Sequence, residues 1–143
     1  MIAQLLLGGL LVFASIAAQA AFIGVAIAAL ERLPRPLARA PHGVRLSVIV
    51  GLTALWMMAA QAVGVALWAL AFLAVDIFDD FDTALYFAGV SFTTLGFGDI
   101  IPPVEWRQLA GLCAANGLLV FGVSTAVLVE VLRRFAFTPP PHS

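Results

Sequence analysis

The groups best suited to chemistry in this sequence are backbone carbonyls, not side chains. Residues 93–99 read Thr-Thr-Leu-Gly-Phe-Gly-Asp. Gly96 and Gly98 alternate with larger residues, and glycine accepts the left-handed backbone that an L-residue resists. Alternating conformations point successive carbonyls the same way. Four such strands around one axis would stack rings of oxygen able to replace a cation's water shell. Side-chain catalysis is poorly provided for. The two histidines, His42 and His142, lie outside the apolar stretches, and no Cys/His cluster or nucleophile–base spacing appears. No enzyme activity and no cofactor are expected. Cys113 is the single cysteine, so no intrachain disulfide can form, and a small buried side chain is its expected role.

The elements that would hold such a strand are set by composition. Hydrophobic residues make up 63% of the 143 and charged residues 10%, against about 25% charged in a soluble domain. Lipid is the natural solvent for that surface. Three apolar stretches, near 5–30, 46–75 and 109–132, reach the roughly 20 residues that a helix needs to cross a bilayer. A fourth, near 83–92, is too short. Irregular backbone at membrane depth is costly unless it is buried in protein or lines water. The segment is therefore expected to dip in as a helix and return extended. Asp82 is expected to cap that helix, and Pro102-Pro103 prevents a helix from continuing there.

The expected fold class is an all-α membrane protein: three transmembrane helices plus a re-entrant segment that would serve as pore helix and filter in an assembled tetramer. The divisions are an N-terminal helix at 1–31, a basic linker at 32–45, a pore module at 46–134 and a short tail at 135–143. Within the module the outer helix takes about 46–75, the pore helix 83–93, the filter 94–98 and the inner helix 107–132.

Arginine sets the expected orientation. All seven basic residues are Arg; Arg32, Arg35, Arg39 and Arg45 lie in the linker, and Arg133-Arg134 follow the last span. Six of the eight acids lie between Asp76 and Glu105. Positive-inside bias then places the linker and C-terminus in the cytoplasm, with the N-terminus and 76–107 outside, in the plasma (inner) membrane. Ala18-Gln19-Ala20 looks like a signal-cleavage site, but no basic residue precedes it and the apolar run continues to Leu30. An uncleaved helix is expected. The linker reads as a stop-transfer anchor, with binding of anionic lipid at Arg32–Arg45 as the sharper alternative. No nucleic-acid partner is expected.

Ala84-Leu85-Tyr86-Phe87 through Thr93–Asp99 resembles the pore helix and filter of the potassium channel family, and the resemblance covers about 46–134. It implies K+ bound at carbonyls of Thr94, Leu95, Gly96 and Phe97, with the Thr94 hydroxyl at the inner end. Gly98 and Asp99 would form the outer mouth, and Thr93 would support the filter. Leu95 and Phe97 depart from the commoner Val or Ile and Tyr, although Gly-Phe-Gly resembles filters of potassium channels with tandem pores. Val90 stands where some relatives carry a carboxylate. Asp99 then has Tyr86 as its candidate partner, or is solvated and unpaired.

The 117–126 stretch is similar to the family's inner helix. Gly117 is either a hinge or a site of close helix packing. Leu118, Phe121 and Thr125 would face the cavity. Glu130 would lie at the inner mouth or pair with Arg133 or Arg134. Asn116 is expected to hydrogen-bond behind the filter rather than contact ions. Trp106 and Arg107 suit an interfacial anchor, and Trp56 and Trp68 suit packing or a lipid face.

The resemblance implies a potassium-selective channel whose partners are three further copies of the chain and membrane lipids. A weakly selective Na+ and K+ channel and a non-conducting assembly subunit are the alternatives.

Overall fold

A computed structural model describes residues 2–32 and 41–136. The linker positions Arg35 and Arg39 and residues 137–143 of the tail lie outside the described residues. Among those described there are four α-helices and no strand: α1 (Ile2–Glu31), α2 (His42–Ala74), α3 (Phe81–Phe92) and α4 (Arg107–Ala136), with a 3-10 turn at Val104–Trp106 before α4.

α1, α2 and α4 are long and apolar enough to cross a membrane, and the chain is an integral membrane protein. Their 30, 33 and 30 residues correspond to about 45–50 Å of helix, beyond the roughly 30 Å of a hydrocarbon core. The ends differ from the apolar runs for that reason. α2 starts at His42, four residues before the expected start, because Pro41 sets the boundary and its carbonyl accepts from Arg45 N at 2.9 Å. α4 continues past Leu132 through Arg133 and Arg134. Hydropathy marks lipid depth, whereas the helix runs on until its backbone is stopped.

The stop of α2 is explicit. Asp76 takes a left-handed backbone (φ 54), and Ile77 N donates to Phe72 O at 3.0 Å. This is a Schellman-type ending, with an aspartate at the position usually given to glycine. The buried Ile77 side chain seals it.

α1 runs parallel to α4 and antiparallel to α2. Gln4 Nε2 donates to the Glu105 carbonyl, Gly8 seats the Leu112 side chain, and further along Phe22 stacks on Trp56 with ring centroids 4.9 Å apart. The Trp56 indole donates to Phe22 O at 2.9 Å. Trp68 is buried in the core, whereas Trp56 packs on Phe22 and keeps part of its surface exposed.

Lipid tails are as apolar as leucine, so close fit holds these helices together rather than escape from water. Small residues provide it. Ala69, Ala84 and Ala88 are fully buried, which lets α2 and α3 approach. Phe72 and Phe87 lock the pair edge to face at 5.3 Å, and Phe78 closes on Phe87 at 5.0 Å.

Candidate functional site

The site begins with the cap of α3. Asp80, not Asp82, caps this helix. Its Oδ1 accepts from Thr83 N at 2.8 Å and its Oδ2 from Thr83 Oγ1 at 2.7 Å. The bond from the Thr83 backbone N–H holds the Asp80 carboxyl below the usual carboxylate range. Asp80 wins because the helix starts two residues before the apolar run, at Phe81. Asp82 falls in the first turn, where its charge still suits the helix N-terminus.

At the other end the carbonyls of residues 89–91 are claimed by the residues that follow the helix. Thr93 N bonds Gly89 O, Thr94 N bonds Ser91 O, and Leu95 N and Gly96 N both reach Val90 O. Thr93 Oγ1 adds a bond to Gly89 O at 2.7 Å. The chain then extends with φ positive at Thr94 (60), Gly96 (58) and Gly98 (76), and not at Leu95 or Phe97. Every second residue is left-handed. The two glycines were legible in the sequence. Thr94 was not: positive φ is unusual for a β-branched residue, and such strain persists only where the surroundings enforce it, as at ligand sites.

Residues 93–99 are all exposed on the single chain, Leu95 at 57% and Phe97 at 66%. The loop is tied down at Asp99. Tyr86 Oη donates to Asp99 Oδ2 at 2.6 Å, and Ile100 N donates to Asp99 Oδ1 at 3.0 Å. Of the two readings of Asp99, the geometry matches the Tyr86 pair.

Behind the loop, Gly117 brings α4 against the end of α3. A Cβ there would overlap the Phe92 carbonyl oxygen and lie 2.7 Å from its carbon. Asn116 is 0% exposed, and neither its Nδ2 nor its Oδ1 has a hydrogen-bond partner. The expected bond behind the filter is therefore not made within this chain. The carbonyls at the end of α3 are engaged by residues 93–96 instead. Leu118, Phe121 and Thr125 share an exposed face of α4. Glu130 sits 3.8 Å from Arg133 in an exposed pair, a weak interaction in water. Cys113 is buried, its thiol 3.9 Å from Ala88 O.

The sequence model of the family described as "Ion channel" matches residues 55–134, more than half of the chain. The chain belongs to the ion channel family. The matched span holds most of α2, all of α3, the 93–99 loop and nearly all of α4. The first helix, α1, lies outside the match. A 54-residue stretch is 43% identical to "TWiK family of potassium channels protein 18" of Caenorhabditis elegans, covering 36% of this chain and 12% of that protein. The chain thus spans about an eighth of that relative's length. The resemblance to the potassium channel family is borne out by the two comparisons together. No solved structure matches this ion channel.

One polar set in the channel escaped the sequence reading. Gln19 of α1, Gln61 of α2 and Ser124 of α4 meet between the helices, with Gln19 and Ser124 each 3% exposed. None of the three was singled out as a polar site in the sequence. Their placement on facing helix sides was the missing signal.

The Tyr86–Asp99 pair gives a pH prediction. The bond from Tyr86 holds the Asp99 carboxyl below the usual carboxylate range, and donating it keeps Tyr86 protonated above the usual tyrosine value. A lowered acid stabilises the fold above its ordinary pKa and loses that contribution as pH falls through the folded value. The raised tyrosine stabilises below about pH 10 and loses its contribution as pH rises further. The bond is thus intact from mildly acidic to mildly alkaline pH. Tyr86→Phe should move the acid end of the stable range to higher pH, read as melting temperature against pH in detergent. An unshifted acid limb would show that the bond does not hold the loop.

Proposed function

We propose that the chain is one of four identical subunits of a potassium-selective channel. The observation that carries this reading is the alternating backbone at Thr94, Gly96 and Gly98 in an exposed loop. Alternation aims the carbonyls of Thr94, Leu95, Gly96 and Phe97 to one side, where four copies would form oxygen rings that bind dehydrated K+. α3 is then the re-entrant pore helix. Its C-terminal end, partly negative, helps hold a cation in the cavity. Gly98 and Asp99 form the outer mouth and Thr93 braces the strand.

Exposure supports the tetramer. A groove lined by Leu85, Tyr86, Gly89, Val90 and Leu95 opens away from the chain's own core, and irregular backbone at membrane depth must be covered by protein or line water. Neighbouring copies meet both needs. Leu118, Phe121 and Thr125 line the cavity, and Glu130 sits toward the inner mouth. Arginine bias puts this mouth and the Arg32–Arg45 region in the cytoplasm of a plasma membrane, beside anionic lipid, and the N-terminus outside.

The test is flux from purified protein in liposomes under opposed K+ and Na+ gradients. Potassium flux at least tenfold above sodium is expected. Equal fluxes would favour the weakly selective reading, and absence of flux the assembly subunit.

A further inference from the structure

The first helix lies outside the matched span, yet it reaches the inner helix with its one strongly polar interior side chain. Gln19 Nε2 donates to Ser124 Oγ at 2.9 Å and lies 3.7 Å from the Met57 sulfur. Gln61 Nε2 of α2 donates to the same Ser124 oxygen at 3.2 Å. Ser124 Oγ in turn donates a hydrogen bond to Val120 O at 2.9 Å. One hydroxyl thus joins three helices.

Its position on α4 gives the clasp its meaning. Ser124 adjoins Thr125, whose hydroxyl bonds Phe121 O at 2.9 Å on an exposed part of the helix. Successive Ser and Thr bonds to the carbonyl four residues back loosen and bend a helix. Gly122, with open space around its Cα, weakens the same turn further. Gly117, by contrast, is pinned against Phe92. The compliant part of α4 is therefore 122–125, and the two glutamines hold it. The clasp also keeps unspent capacity: Gln19 Oε1 and Ser15 Oγ, one turn apart on α1, are buried without a partner. Unmet acceptors in an apolar setting are costly, so alternative bonds are available if α4 shifts.

We propose that Gln19 is a positioning residue for conduction: through Ser124 it holds the inner helix in this conformation, making α1 a working part of the gate. The inference rests on the channel reading for its readout. Hydrogen bonds between membrane helices are modest, so one lost bond should change the closed-to-open ratio by about threefold per subunit, at most about twentyfold. The experiment is single-channel recording of wild type, Gln19→Leu, Ser124→Ala and the double variant in bilayers. Both single changes should shift open probability in the same direction, with unit conductance and ion selectivity retained. The double variant should shift no further than the larger single one. A hydroxyl-preserving Ser124→Thr should stay near wild type, which loss of packing alone would not predict. Should Gln19→Leu fail to assemble, the Ser124→Ala and Ser124→Thr pair carries the test. Unchanged open probability, or additive single effects, overturns the clasp and leaves the channel standing. A wild type without flux overturns both.

Discussion

Gly96→Ala should abolish potassium flux, by at least 100-fold, while the protein still assembles. Gly96 sits at φ +58 with no heavy atom within 4 Å of a Cβ built there, so the subunit has space for the methyl group. The obstacle is backbone conformation. A left-handed L-residue costs about 1–2 kcal/mol, and the proposed fourfold pore would carry that cost four times. Alanine relieves it by returning to negative φ, which rotates the neighbouring peptide and withdraws a carbonyl from the ring. Liposome flux measured beside oligomeric state separates loss of function from loss of assembly. Normal flux through the alanine variant would remove the basis of the carbonyl filter. Gly98, at φ +76, should show the same behaviour in weaker form, since it lies at the mouth and not within the proposed binding rings.

The second large effect is expected at Gly117, for the opposite reason. Its conformation is ordinary helix, where alanine is favoured over glycine by about 1 kcal/mol. Space decides the outcome. An added Cβ would overlap the carbonyl oxygen of Phe92 and approach its carbonyl carbon to 2.7 Å. Backbone atoms at a packed helix end cannot rotate away, and the Phe92 ring is itself fixed against Gly64. Overpacking of this kind costs about 1–3 kcal/mol or more, outweighing the propensity gain. Gly117→Ala should therefore lower the melting temperature in detergent by several degrees or prevent assembly. Gly51→Ala, with open space around it, is the control and should melt no lower than wild type. Equal stability of both variants would mean that α4 does not dock on α3 through this glycine.

These two glycines divide what the chain states from what its folding decides. Both were visible as glycines in suggestive places. Gly96 carried its reason in the sequence, because alternation with larger residues in a short non-helical segment already implies a left-handed backbone. Gly117 did not, since a helical glycine reads equally as hinge or contact until the partner is known. The partner is a carbonyl 25 positions earlier, and nothing local announces it.

The same division holds for the rest of the molecule. Long apolar runs determined three membrane-crossing helices, because lipid requires every backbone polar group to be bonded within its own helix. Arginine and acid placement supplied an expected orientation, and 93–99 supplied the family. Helix ends were legible only approximately, since Pro41, Asp76 and Asp80 set them by backbone chemistry rather than by hydropathy. The Tyr86–Asp99 bond needed the loop to fold back on α3. The meeting of Gln19, Gln61 and Ser124 needed three helices packed in one register, with faces that the nearly uniform apolar pattern of this chain does not distinguish. In a chain so apolar, sequence fixes which segments enter the membrane. Only tertiary packing decides which side of each helix meets another, and so where its few polar groups find partners.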